Sequence, residues 1–135
     1  MITNPAELHD PTGFGYSHVA SVGDLVFVAG QYASGPDGAV PVEGFAEQVE
    51  LAFGNLGIAL RSAGLDYADV FQLRTYVVDH SPEKLAVLGA AIARRWPGKP
   101  PVQTLLGVAR LALPELRGGR RGAGAEGQEV VAWIA

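Results

Sequence analysis

Residues 100–111, PPVQTLLGVARL, join a proline-stiffened turn to an almost wholly apolar stretch that carries two polar side chains near its start. These are the amide of Gln103 and the hydroxyl of Thr104. Both groups donate and accept hydrogen bonds, so the pair can bind a carbonyl, an amide or a ring nitrogen. They can equally satisfy backbone groups where a strand begins. The sequence leaves both interpretations open.

Composition excludes several other kinds of catalytic site. The chain has no Cys, so disulfides, thiolate metal sites and cysteine nucleophiles are all excluded. The three histidines, His9, His18 and His80, are too scattered along the sequence to predict a metal site. We therefore expect neither a metal nor a cofactor.

Length and charge predict one small acidic domain. The 135 residues are in the usual size range of a single domain, 1–135, and 48% of them are hydrophobic. Fourteen acidic against ten basic residues give a net charge of -4, which argues against a nucleic-acid partner. The segment 117–128 contains RGGRRG, which resembles nucleic-acid-binding segments, but its glycines favour a flexible solvated loop.

The first ten residues, MITNPAELHD, lack the basic and apolar regions of a secretion signal. No apolar run approaches the roughly 20 residues that span a bilayer. We expect a cytoplasmic protein with no membrane partner.

The pattern of apolar residues predicts the order ββαβαββ. A hairpin over 17–31 turns at Gly23-Asp24, and a strand over 69–79 places Phe71 with Leu73, Thr75 and Val77 on one face. The last two strands are predicted to lie within 100–111 and over 129–135. The two predicted helices run from Phe45 to a stop at Gly64 and from a Ser81 cap to about Trp96; Gly54 and Gly57 in the first indicate close packing against a sheet.

This order predicts an α+β fold in which two helices cover one face of a single mixed sheet. The strands are apolar on both sides, so the second face would form a large exposed patch on a monomer. We therefore expect self-association. The apolar residues on which this expectation depends are Leu105, Leu106, Val108, Val130, Val131 and Trp133.

Nearly the whole chain resembles the Rid family of reactive intermediate deaminases, also called L-PSP endoribonucleases. The resemblance is carried by VGDLVFVAGQ, by FAEQVELAFGNLGIALRSAGLDYADVFQLRTYVVD, and by PPVQTLLGVARLALP with EVVAWIA. It implies a chorismate-mutase-like fold of bacillus type and a homotrimer with small-molecule clefts between subunits. It also implies hydrolysis of enamines and imines to 2-keto acids and ammonia.

The resemblance also implies site residues, one position at a time. Family enzymes bind the substrate carboxylate with an Arg, and Gln103 stands at that position here. Tyr16 corresponds to a tyrosine that lines the cleft, and Glu129 to the acid that positions the attacking water. The remaining cleft positions correspond to Gly30, Ala29 where many members have Ser, Leu105 and Gly89.

Structural roles compete with these assignments. Glu129 can be a solvated carboxylate near Arg117, Arg120 or Arg121, and Tyr16 can be a packed aromatic with a hydrated hydroxyl. Two functions therefore remain open. One is a Rid-type hydrolase with a substrate that need not be an anion, and the other is a trimer that binds a metabolite or RNA without turnover.

Overall fold

The computed structural model of the chain describes residues 1–111 and 128–134, and for 128–134 it describes the backbone. The predicted Gly and Arg segment therefore lies, except for its last residue, outside the described residues. The strands are β1 (Ile2–Thr3), β2 (Val19–Val22), β3 (Leu25–Tyr32), β4 (Val70–Val78), β5 (Val102–Val108) and β6 (Gln128–Ile134); the helices are α1 (Phe45–Ser62) and α2 (Pro82–Arg95). The predicted element order is confirmed, with the short strand β1 added before it.

The six strands form one mixed sheet in the order β1-β2-β3-β6-β4-β5. Every neighbouring pair is antiparallel except β4 and β5, which run parallel because α2 crosses over between them. The α+β fold that the sequence predicts is therefore confirmed.

Helix α2 begins, and helix α1 ends, where the sequence provides a cap. The Ser81 hydroxyl accepts the backbone N–H of Lys84 at 3.2 Å, and Pro82 occupies the first turn of α2. Helix α1 ends in a Schellman motif, in which Gly64 has φ +75° and the Leu65 N–H donates to the Leu60 carbonyl.

The core lies between α1, α2 and one face of the sheet. Leu73, Thr75 and Val77 of β4 face this core and are fully buried, whereas the alternating Arg74 and Tyr76 are half-buried on the other face. The fully buried apolar residues of α1 are Val49, Ala52, Phe53, Leu56, Ala59 and Leu60.

The start of β4 differs from the prediction. Alternation predicts that Phe71 and Leu73 share one face; Leu73 is fully buried, but Phe71 is 44% exposed and Val70 is buried instead. The register between β4 and β6 shifts between Val70 and Gln72, so the alternation of the strand is interrupted there.

The two helix glycines also differ from the prediction, which placed both against the sheet. A Cβ on Gly57 would collide with the Tyr67 side chain, whereas a Cβ on Gly54 would meet nothing within 4 Å. Close packing therefore exists at Gly57 alone, and it involves the segment after α1.

The sheet face opposite α1 and α2 displays exposed apolar side chains. Strand alternation places on this face Leu25, Phe27, Val102 and Leu106, each of which is more than a third exposed. Among the described helices, none is long and apolar enough to cross a membrane.

Candidate functional site

An open groove of about 730 Å³ lies beside the hairpin of β2 and β3. The segment that precedes β2 forms one wall, with Thr12, Gly15 and Tyr16, and the hairpin forms the other, with Phe27 and Ala29. Gly30 follows Ala29 directly, at the point where the register between β3 and β6 shifts. The structure therefore brings three of the predicted site residues, Tyr16, Ala29 and Gly30, to one region.

A hydrogen-bonded chain of polar side chains extends from Tyr16 into the interior of the protein. The Tyr16 hydroxyl lies 2.7 Å from Nε2 of His9, and Nδ1 of His9 lies 3.2 Å from the Ser34 hydroxyl. Asn55, on α1, donates to the Ser34 hydroxyl and to the carbonyls of Tyr32 and Ser34. Helix α1 is thus linked to the groove through buried polar groups.

A second buried histidine lies against the first. Their rings are edge to face, with centroids 4.9 Å apart. Nε2 of His18 is 2.9 Å from the His9 carbonyl, which can only accept, so His18 carries its proton on Nε2. Nδ1 of His18 then accepts from the Gln31 amide at 3.2 Å.

The environment of His9 keeps its imidazole neutral. Burial is the main cause that lowers the pKa of His9, the nearby His18 lowers it further, and Asp10 opposes them with a smaller effect. Near pH 7 one ring nitrogen of His9 therefore donates and the other accepts.

Gln103 lies far from this groove, on β5. Its amide nitrogen donates to the hydroxyl of the fully buried Thr75 at 2.8 Å. Gln103 pairs with Leu73 and Leu105 pairs with Thr75, so both lie on the sheet face that the helices cover. Thr104, predicted to act with Gln103, pairs with Arg74 and lies on the opposite face.

The last two predicted positions are on α2 and β6. Gly89 is exposed in the middle of α2, and a Cβ there would meet nothing within 4 Å. Backbone pairing places Glu129 opposite both Tyr32 and Tyr76, so it shares the Tyr76 face of the sheet and not the Gln103 face. The assigned roles of both residues stay predictions.

Two strands separate the groove from Gln103. The sheet order places β6 and β4 between β3 and β5, which amounts to three interstrand spacings or roughly 14 Å. Within one chain the groove residues and Gln103 therefore cannot contact the same small molecule directly.

Sequence reasoning missed His9, Ser34 and Asn55. Their spacing matches no motif, and the contacts between them span 21 and 25 residues of sequence. The spacing of the histidines bears only on metal binding, and the described residues include no cluster of three or more His, Cys, Asp or Glu able to hold an ion.

Known proteins similar to this chain include two curated relatives. A 64-residue stretch is 41% identical to a RutC family protein, YjgH, of Escherichia coli (strain K12), and a stretch of the same length is 34% identical to a RutC family protein of Aquifex aeolicus (strain VF5). Each match covers 47% of this chain and about half of the relative, 48% and 51% respectively.

Solved structures extend the similarity over the whole fold. The structure of protein YJGH matches with a TM-score of 0.81 and 28% identity, covering 99% of this chain and 94% of the other. A Rid family protein, YyfB of Yersinia pestis, matches with a TM-score of 0.70 and 31% identity over 100% and 97% of the two chains. The family model described as Endoribonuclease L-PSP matches residues 8–117. This match covers most of the chain, so the protein belongs to the endoribonuclease L-PSP family, and its resemblance to the Rid proteins is confirmed.

Proposed function

We propose that the protein is a Rid-type small-molecule hydrolase in which water attacks an enamine, an imine or a related carbonyl compound. The observation that carries this proposal is the Gln103 amide, which Thr75 holds at 2.8 Å on the exposed outer strand β5. The resemblance to the Rid family places a carboxylate-binding Arg at this position. A neutral amide cannot compensate the charge of a desolvated carboxylate, so the substrate we propose is not bound through a carboxylate.

The site we propose forms between subunits of a homotrimer. One subunit contributes the groove with Tyr16, Ala29 and Gly30, and its neighbour contributes the outer strand with Gln103 and Leu105. Two features support this arrangement: the strands that separate these groups within one chain, and the exposed apolar residues on the sheet face opposite the helices. The resemblance to the family supports a trimer in particular.

In this proposal each group has a distinct role. Tyr16 and Gln103 orient the ligand by hydrogen bonds, the backbone beside Gly30 approaches it closely, and Glu129 orients the water. Leu105 and Gly89, from the same subunit as Gln103, shape the remaining walls, and Thr104, on the opposite face of β5, takes part only from another subunit. Glu129 reaches such a site only from a subunit other than the one whose Gln103 takes part, because the two residues lie on opposite faces of one sheet.

The family description mentions an endoribonuclease, which makes RNA binding or cleavage the other function to test. The net charge of -4 disfavours it, because phosphate contacts require an excess of Lys and Arg. We therefore place hydrolysis of a small molecule first.

The experiment compares two imines of similar size and shape, the anionic 2-iminopropionate and its neutral carboxamide. We expect wild-type protein to accelerate hydrolysis of the carboxamide more than that of the carboxylate. Gln103→Arg should raise kcat/KM for the carboxylate by about tenfold, because a charged bidentate pair exceeds a neutral hydrogen bond by roughly 1 to 2 kcal/mol. Gln103→Leu should lower kcat/KM for the carboxamide, and Thr75→Val should do the same less strongly by releasing the Gln103 amide.

Two controls accompany this assay. Ser62→Ala removes a hydroxyl that bonds the Ala59 carbonyl on α1, away from the site, and should leave both rates unchanged. Light scattering should give three times the chain mass of 14.1 kDa. A monomer, or an equal response of both imines to every Gln103 variant, would contradict the proposal, and RNA cleavage by the same preparation would favour the other function.

A further inference from the structure

The support behind Tyr16 is a continuous row of three residues, the Ser34–His9–Tyr16 chain. Ser34 and His9 are 5% and 4% exposed, whereas Tyr16 is half-buried and lines the groove. The chain thus runs from a water-poor interior to a surface that a ligand can reach.

Asn55 sets one of the hydrogen bonds at the Ser34 end of this chain. Its side-chain nitrogen contacts two carbonyl oxygens, at 2.9 Å and 3.0 Å, and only the amide nitrogen can donate to them, so its orientation is unambiguous. The same nitrogen donates to the Ser34 hydroxyl oxygen at 3.2 Å. That oxygen acts as an acceptor toward Asn55, so the proton of Ser34 is available for Nδ1 of His9.

This direction then propagates to the groove. If Nδ1 of His9 accepts from Ser34, the neutral imidazole carries its proton on Nε2 and donates it to the Tyr16 oxygen, 2.7 Å away. The proton of the Tyr16 hydroxyl consequently belongs to a bond other than the one with His9. The phenol then donates to a partner other than His9, and Tyr16 is one of the residues that line the groove.

We propose that His9 is a positioning residue that, held by Ser34 and Asn55, orients the Tyr16 hydroxyl as a hydrogen-bond donor to the ligand. The groove then selects ligands that present an uncharged acceptor atom, such as an imine nitrogen or a carbonyl oxygen. This inference deepens the proposed function and rests on it for the identity of the site.

A matched pair of substitutions separates the two ring nitrogens. In His9→Gln the side-chain amide nitrogen takes the place of Nε2 and can still donate to Tyr16, whereas in His9→Asn the amide nitrogen takes the place of Nδ1 and the bond to Tyr16 is lost. We expect Tyr16→Phe and His9→Asn each to weaken binding of pyruvamide, a stable neutral carbonyl probe, by about tenfold, and His9→Gln to keep most of the affinity.

The double variant tests whether His9 acts through Tyr16. Once Tyr16 is Phe, the His9→Asn change should weaken pyruvamide binding no further, because the bond that it removes no longer exists. Independent, additive losses would mean that His9 acts on the fold in general and would overturn the inference. Ser62→Ala serves again as the control for a lost α1 hydroxyl.

Nitrogen NMR decides the same question without any ligand. The two ring nitrogens of a neutral histidine resonate at well-separated ¹⁵N frequencies, and we expect His9 to carry its proton on Nε2 in the wild type and to lose this preference in Ser34→Ala. A proton on Nδ1 in the wild type would overturn the inference. If neither imine is hydrolysed but pyruvamide binding depends on His9 and Tyr16 as described, the proposed function fails and this inference stands; if pyruvamide does not bind, the inference fails.

Discussion

Gly54 and Gly57 lie one turn apart on α1 and should respond oppositely to the same substitution. Replacing Gly by Ala inside a helix ordinarily stabilises a protein by about 0.5 to 1 kcal/mol, because Ala loses less backbone entropy on folding. At Gly54 the new methyl group meets open space, so Gly54→Ala should raise the free energy of unfolding by that amount.

At Gly57 the methyl group would lie 2.9 Å from Cζ of Tyr67 and closer still to the phenol oxygen. Tyr67 cannot easily move. Its hydroxyl donates to the Phe53 carbonyl at 2.6 Å, its own carbonyl accepts from the Trp96 indole at 2.6 Å, and its ring packs against Trp96 with centroids 5.6 Å apart.

The expected cost at Gly57 exceeds the helix gain. Overpacking costs about 1 to 3 kcal/mol, and losing the Tyr67 hydrogen bond costs roughly 1 kcal/mol more. Gly57→Ala should therefore lower the free energy of unfolding by about 1 to 3 kcal/mol. Urea unfolding of all variants at one fixed protein concentration, followed by tryptophan fluorescence, measures the difference.

The double variant with Tyr67→Phe identifies the cause. Removing the phenol oxygen removes the closest contact, so part of the loss caused by Gly57→Ala should disappear in that background. If Gly57→Ala proves as stable as Gly54→Ala, the reasoning about this contact is refuted.

Two pH dependences follow from the ionisable groups. Folding lowers the pKa of His9, so as the pH falls the unfolded chain binds this proton before the folded chain does. The contribution of neutral His9 to stability should be complete above about pH 6.5 and should decline as the pH falls from that value toward the lower folded pKa. In urea unfolding measured from pH 7 to pH 5, His9→Gln should therefore reduce the decline in the midpoint. The pKa of Glu50 is lowered chiefly by its hydrogen bond with Arg95 and further by Arg94, so its contribution should be present above about pH 4.3 and lost as the pH falls below that value. Because the Glu50 side chain is 44% exposed, Glu50→Gln should cost under about 1 kcal/mol at pH 7. That cost should shrink as the pH falls through the lowered pKa of folded Glu50, and a cost that grows with falling pH would contradict the assignment.

The sequence predicted every major element because each depends on local signals. Alternation identified β4, the Ser81 cap and Pro82 identified the start of α2, and Gly64 identified the end of α1. The exchange of Phe71 for Val70 could not be foreseen, because it depends on how β4 registers with β6, a strand more than fifty residues away.

The site was less predictable than the fold. Gln103 is recognisable in the sequence because two polar side chains interrupt an apolar strand, but only the register of β5 on β4 places Gln103 and Thr104 on opposite faces. The roles of His9 and Asn55 could not be predicted, because folding brings α1 against the segment before β2. Side-chain hydrogen bonds between such distant segments produce no periodic pattern in a sequence.

The position of β6 has a consequence for how the chain folds as it is made. The strand of residues 128–134 lies between β3 and β4, and it is the last of the described strands to leave the ribosome. Until it emerges, β1, β2 and β3 form one incomplete sheet and β4 and β5 another, each with an unpaired edge toward the missing strand. Completion of the sheet is therefore a late event, and it depends on contacts between residues that are distant in sequence. Such contacts form slowly, and until they form the unpaired strand edges of the intermediate are exposed to aggregation. Chains that end before residue 128, released from the ribosome, should therefore remain bound to chaperones.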